Sequence, residues 1–204
     1  MKYLYFLVFA IFALMLGTTN LEAESFGRIT NDYTVGSAQS VAISGNYAYV
    51  ADGYEGLIVL DIEDPINPIE ISKFDFISLN VTGMSSHTYV NARSVSISEN
   101  YAYLINYPES LIILNIEEPT NLILEGIWYT SGGAKSVTIS GDYAYVADGI
   151  YGLKIVNIEN PANPTLEGDY YTEGSTRDVT ISGNYAYVAD GPGGYIVLLS
   201  LIHI

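Results

Sequence analysis

Polar and charged residues recur at regular spacing along this chain in two sets, which we call columns. Both sets contain side chains that could bind a ligand or take part in a reaction. The first column is Asp52, Asn106, Asp148 and Asp190, which lie 54, 42 and 42 residues apart. The second is Gln39, Arg93, Lys135 and Arg177, which holds three of the seven basic residues. If the two columns surround the opening of a partly enclosed channel, their alternating charges would bind a small polar or anionic ligand. The alternative is structural, a ring of salt bridges and turn caps, because Asp before Gly is common in turns.

Aromatic and acidic residues beside the first column suggest two further kinds of site. Tyr54, Tyr107 and Tyr151 fall in predicted turns, where an exposed ring could stack on a sugar. Asp52 and Glu55 both offer the hard oxygen ligands that Ca²⁺ prefers. Glu55 has no acidic counterpart in the other copies, so we expect one calcium site at most and otherwise no metal or cofactor.

The second copy of the pattern departs from the others. An insertion of 12 residues, roughly Ile77–Tyr89, precedes it and contains His87 and Tyr89 as further binding candidates. Asn80 begins the sequon Asn-Val-Thr, which predicts a glycosylated, exported loop. Local failures of a pattern often mark functional sites, although a tolerated loop insertion explains the same residues.

Composition narrows the class of function. With a net charge of −16, the surface would repel nucleic acid and anionic membranes. The chain has no Cys and only two His, and it contains no HExxH, GxSxG or P-loop motif. Two carboxylates acting as the acid and base of a glycosidase stay open, but no pair stands out. An enzyme is therefore less favoured than a binding module.

The N-terminus has the pattern of a secretory signal peptide over residues 1–23. Lys2 precedes the apolar stretch Tyr3–Leu16, which is shorter than the ~20 residues of a membrane span. Cleavage after Ala23 would leave residues 24–204; the alternative is an uncleaved anchor. We expect a secreted or cell-surface protein whose partner is an extracellular protein or glycan.

The elements that position both columns are four copies of one repeat. The copies read SVAISGNYAYVADG at Ser40–Gly53, SVSISENYAYLINY at Ser94–Tyr107, SVTISGDYAYVADG at Ser136–Gly149 and DVTISGNYAYVADG at Asp178–Gly191. Each begins with a short alternating strand, a two-residue hairpin turn and a second strand whose tyrosines share one face. A third, apolar strand and a Pro-rich turn follow. Four short strands in about 42 residues predict a propeller blade.

Strand alternation predicts where a ligand would bind. The turns after each second strand and the links between blades share one face, which we call the loop face. The hairpin turns and the Pro-rich turns share the opposite one. Both columns fall on the loop face, near the central channel. Mid-strand tyrosines such as Tyr49 are expected to pack between blades instead.

The segments GLIVLDIEDPINP and GLKIVNIENPANP, joined to SGNYAYVADG, resemble the LVIVD repeat of extracellular and cell-surface β-propellers. The resemblance covers Ser37 to about Leu199. It implies the fold but no catalytic motif. Propellers of this kind usually have six or seven blades, whereas this sequence has four repeats.

The prediction is thus an all-β protein, a small propeller of four four-stranded antiparallel blades. The blades span about 37–76, 91–131, 133–173 and 175–204. The last copy stops after its third strand, and segment 26–34 is predicted to supply the fourth, which would close the ring. The alternatives are a truncated gene and a fragment that completes a larger ring by self-association.

Overall fold

The computed structural model describes residues 36–75, 91–107 and 110–199, and these form four antiparallel sheets in chain order. Blade 1 contains β1 (Ser40–Ser44), β2 (Tyr47–Ala51), β3 (Leu57–Asp61) and β4 (Ile69–Phe74). Blade 2 contains β5 (Ala92–Ser98), β6 (Tyr101–Asn106), β7 (Ser110–Asn115) and β8 (Ile123–Tyr129). Blade 3 contains β9 (Ser136–Ser140), β10 (Tyr143–Ala147), β11 (Leu153–Asn157) and β12 (Thr165–Tyr170). Blade 4 contains β13 (Asp178–Ser182), β14 (Tyr185–Ala189) and β15 (Tyr195–Leu199).

This architecture confirms the all-β prediction and the four repeat units. Blades 1 to 3 have four strands each, and blade 4 has three within the described residues. The segment 26–34, predicted to complete blade 4, lies outside the described residues, as does the predicted signal peptide 1–23. No helix in the described part of the chain is long and apolar enough to span a membrane.

Local chemistry explains why the strands turn where they do. The hairpins between the first two strands place Gly45, Gly141 and Gly183 at positive φ, which glycine adopts without steric cost. Blade 2 has Glu99 at this position with φ of 50°, the one non-glycine residue at positive φ in the described residues. After β3, the Asp64 carboxylate accepts hydrogen bonds from the Ile66 N–H and the Asn67 amide, which closes the Pro-rich turn.

The core lies between successive blades. β1 lies beside β5, β5 beside β9, and β9 beside β13. Each interface joins the tyrosine face of one blade to the Ala-Val face of the next. The prediction that the mid-strand tyrosines pack between blades is confirmed for Tyr49, Tyr103 and Tyr145, which are buried. It is wrong for Tyr187, which is 41% exposed because none of the described residues forms a blade on that side.

Outer strands share one irregularity. β4, β8 and β12 each carry an extra residue opposite their partner strand, just before the last two residue pairs at the Pro-rich-turn end of the ladder. Such bulges bend a strand and increase its local twist. The pairing of β14 with β15 runs without a shift.

Candidate binding site on the loop face

The Asp/Asn column sits under the loop face and organises it. All four side chains are buried. Each accepts a backbone hydrogen bond from the link that leads into its own blade. The bonds run from Gly36 N to Asp52 Oδ2 at 3.0 Å, Asn91 N to Asn106 Oδ1 at 2.9 Å, Gly132 N to Asp148 Oδ1 at 3.1 Å and Gly174 N to Asp190 Oδ2 at 2.8 Å. A shared buried acceptor therefore fixes the path of every link.

Asp190 has three hydrogen-bond partners. Besides the Gly174 N–H, it accepts the Thr172 hydroxyl at 2.6 Å and the Thr176 hydroxyl at 3.3 Å. Both threonines are buried. Buried carboxylates are stable when their lone pairs are filled in this way. This geometry matches the structural alternative, turn and link caps, more closely than a ligand-contacting role.

Burial also shifts the pKa of one carboxyl group in the Asp/Asn column, that of Asp148. Burial raises the pKa of the Asp148 carboxyl above its ordinary value of 3.8, while the N–H groups of Gly132 and Ser131 act in the opposite direction. A buried carboxyl with a raised pKa has the character of a general acid. Its two oxygens, however, accept bonds from the link backbone, Oδ1 at 3.1 Å and Oδ2 at 3.4 Å.

The second column lies above this frame. Gln39 is exposed and its amide donates to the Ser37 carbonyl and hydroxyl at 3.0 and 2.8 Å. The Lys135 ammonium donates to the Ser175 hydroxyl at 2.9 Å, so it reaches from blade 3 to the link of blade 4. Arg177 is exposed. These side chains present positive charge and amide groups to solvent on one face.

Arg93 is held differently from its counterparts. Its guanidinium carbon lies 3.8 Å from the centre of the Tyr107 ring, a cation–π contact. The pairing of β5 with β6 shifts register between Ala92 and Ser94, so Arg93 is the extra residue of a bulge. Bulges re-aim side chains and recur next to functional sites. The second copy was predicted to be distinctive, and here its departure from Gly to Tyr107 supplies the ring.

Turns of one blade bond to links of the next. Gly53 N donates to the Ala92 carbonyl at 3.1 Å, and Ala92 N donates back at 2.8 Å. Thr176 N donates to the Gly149 carbonyl at 2.9 Å. The loop face is therefore continuous between neighbouring blades at these points.

The remaining predicted residues divide into two groups. Tyr54, Tyr107 and Tyr151 are exposed on the turns, as sugar-stacking residues must be, and Glu55 pairs with the Lys73 ammonium. His87, Tyr89 and the sequon residue Asn80 lie outside the described residues.

The sequence interpretation missed the partners of the two columns, chiefly Thr172, Ser175 and Thr176. A signal for them was present, because Tyr33–Ser37 and Tyr171–Ser175 both carry Thr, Gly and Ser at the same positions. In the second segment the Thr172 hydroxyl and the Gly174 N–H belong to the link that the buried Asp190 carboxylate holds.

A second concave region lies on the opposite face, between blades 2 and 3. This cleft of about 260 Å³ is lined by residues including Glu99, Asp142 and Glu159. Tyr103 also lines it, and burial, with the nearby Tyr101, Glu99 and Asp142, raises its pKa to about 12. The cleft is acidic, whereas the loop face is lined by cationic side chains.

Four stacked antiparallel sheets with loops gathered on one face define a small β-propeller. The chain belongs to the LVIVD repeat family, whose model matches residues 35–75, 91–130, 131–172 and 173–198. These matches coincide with the four blades and confirm the resemblance read from the sequence.

Solved structures support the fold. The chain is similar to the computationally designed Ika4 protein, with a TM-score of 0.62, 11% identity and coverage of 86% of this chain and 99% of that one. It is also similar to the designed Ika8 protein, with a TM-score of 0.58, 11% identity and coverage of 79% and 45%. AztD from Citrobacter koseri matches with a TM-score of 0.53, 14% identity and coverage of 80% and 44%. At these identities the likeness shows the fold alone. No curated protein matches the chain.

Proposed function

We propose that this protein is an exported or cell-surface binding module that engages an extracellular protein or glycan through its loop face. The observation that carries the proposal is the contact of the half-buried Arg93 with the exposed Tyr107 on the loop face. Arg93 is the extra residue of a bulge that only blade 2 has at this position within the described residues. Arg and Tyr are the residues most often found at the energetic centre of interfaces.

The surroundings support the same function. Lys135 and Arg177 add positive charge on the neighbouring blades, while the tyrosines of the turns add exposed aromatic surface. Below them the buried carboxylates keep the links in place, so the side chains are presented from a fixed backbone. A preorganised surface loses little conformational entropy when it binds. The mixture favours a partner that offers a planar sugar or apolar ring next to an anionic group.

A glycan and peptide array probed with the purified protein tests the proposal. Arg93→Ala and Tyr107→Ala should each weaken retained binding by roughly tenfold or more, because desolvated Arg and aromatic anchors contribute most of the affinity. Glu63→Ala and Ile66→Ala are the controls, since both residues are exposed in the Pro-rich turn after β3, on the face opposite the loop face. Binding that is equal in the two pairs of variants would contradict the assignment of the site.

The same experiment separates a module from an enzyme. Any retained glycan is followed for cleavage, with Asp148→Asn and Asp190→Asn as variants. If the protein is a binding module, the wild type and both variants retain the glycan and do not cleave it. Turnover that is lost in these variants while binding persists would establish the carbohydrate-active alternative and overturn the proposal.

Export is tested separately by the mass of the protein recovered outside its native cells. A product that begins after residue 23 supports secretion. Recovery of the intact chain in the cytoplasm alone contradicts it.

A further inference from the structure

The face of blade 4 that points away from blade 3 is exposed over its whole extent. We call it the open face. It consists of three rows defined by the strand register, namely Asp178–Ala189–Tyr195, Thr180–Tyr187–Val197 and Ser182–Tyr185–Leu199. All nine residues are exposed, and Tyr195 is exposed by 80%. In blade 3 the corresponding Tyr145 and Ala147 are fully buried against blade 4.

Two substitutions distinguish the open face from its internal equivalents. The last position of the third strand is Asp61, Asn115 or Asn157 in blades 1 to 3, but it is Leu199 in blade 4. The position paired with the fifth residue of the second strand is Leu57, Leu111 or Leu153, but it is Tyr195 in blade 4. The one exposed face therefore carries more aromatic and apolar surface than the covered faces. Solubility alone would favour the opposite change, and contiguous apolar patches of this kind mark interaction sites.

The described residues offer no free complement to this face. Within the molecule, each tyrosine face is covered by the Ala-Val face of the following blade. The remaining Ala-Val face belongs to blade 1, where Ala48, Val50, Ile58 and Leu60 are already buried. Among the described residues, therefore, nothing covers the open face.

We infer that the open face is an interface between two copies of this chain, packed isologously about a two-fold axis. Two identical twisted sheets can pack face to face, as in a β-sandwich, and two-fold dimers are the commonest oligomers. Tyrosine suits such a contact, because its ring packs against its symmetry mate while its hydroxyl remains hydrogen-bonded.

Charge and area agree with this partner. Asp178 is the one charged residue of the open face and lies at a corner, so little charge is buried. An aromatic side chain buries ~150–250 Å² when covered, so three tyrosines and two aliphatic residues supply a large part of the ~800 Å² that each partner contributes to a specific interface. The remainder of the surface carries the net charge of −16, so two copies repel at low salt and the dimer should strengthen as salt is added.

Sedimentation equilibrium of the purified protein at several salt concentrations tests the inference. The wild type should be dimeric, and Tyr195→Asp with Leu199→Asp should weaken dimerisation about thirtyfold or more. The control is Tyr171→Asp with Leu166→Asp, which changes residues of similar exposure on blade 3 and its link and should leave the dimer intact. Circular dichroism confirms that both double variants remain folded.

A cross-link defines the geometry, because the chain contains no cysteine. Val197→Cys, in the central row, should couple to its symmetry mate through a short bis-maleimide, whereas Leu166→Cys should not. The inference is overturned if the wild type remains monomeric over a 100-fold range of protein concentration that extends to its highest soluble concentration. It is also overturned by a dimer that survives the Tyr195 and Leu199 changes. Dimers without a 197–197 cross-link would indicate a head-to-tail contact and overturn the isologous arrangement.

Discussion

β10 and β14 have the same sequence, Tyr-Ala-Tyr-Val-Ala, and the same register with their hairpin partners β9 and β13, which differ only at Ser136 and Asp178, yet their environments differ. Tyr145 in β10 is fully buried, whereas Tyr187 in β14 is 41% exposed. The local sequence is sufficient to form the strand and its hairpin. Whether its tyrosine face contributes to the core depends on the blade that follows. Blades 3 and 4 therefore allow the same substitution to be compared on a covered and on an exposed tyrosine face.

The largest difference between the two blades is expected in the free energy of unfolding that is lost when a mid-strand tyrosine is replaced by alanine. Tyr145→Ala should lower the free energy of unfolding by about 3 kcal/mol or more, because it leaves a cavity between blades 3 and 4. Tyr187→Ala should cost below about 1 kcal/mol in the monomer, where the side chain is already solvated. Urea denaturation at a concentration below dimerisation measures both. Equal costs would mean that Tyr187 is also covered in solution.

A smaller contrast is expected at the turns. Gly149 and Gly191 both have φ of +57°, which disfavours any other residue. A Cβ at Gly149 would lie 2.3 Å from the Gly132 carbonyl oxygen, whereas at Gly191 the nearest atom is the Ser175 carbonyl oxygen at 3.1 Å. Gly149→Ala should therefore cost about 2 kcal/mol or more, and Gly191→Ala about 1 kcal/mol. Thermal unfolding of the two variants provides the comparison, and the reverse order would contradict the link geometry.

The smallest effect concerns the pH dependence of stability. Because burial raises the pKa of Asp148 above 3.8, the folded chain binds this proton more tightly than the unfolded chain. Its contribution to stability is fully present below pH 3.8 and is lost as the pH rises through the folded pKa. Asp148→Asn should remove this loss, so the variant gains stability relative to wild type as the pH rises through that window.

Urea midpoints measured from acid to neutral pH test this expectation, with Glu167→Gln as the exposed control. Asn106 already accepts its link N–H through an amide oxygen in blade 2, so the fold tolerates the change. A difference between Asp148→Asn and wild type that does not vary with pH would show that the two states bind this proton equally.

Much of the fold could be predicted because its signals are local. Strand alternation, Gly-Asn hairpins and the Pro-rich turns repeat four times, so the blades and the loop face follow from short-range chemistry. The depth of the Asp column could not be predicted, because it depends on how the link folds back over Asp148 and Asp190. The Arg93–Tyr107 contact was equally hidden, since it needs a bulge and a turn from different strands. Identical sequences in β10 and β14 gave no sign that only one would be covered.

The bulges of β4, β8 and β12 have a consequence for how the protein avoids fibrils. A straight outer strand offers an unbroken row of N–H and C=O groups on which another chain can template, whereas a bulged and twisted one is a poor template. Blades 1 to 3 interrupt that row two residue pairs before the Pro-rich turn. Within the described residues the outermost strand of blade 4 is β15, whose ladder with β14 has no such interruption, so it offers the most regular row of the four blades.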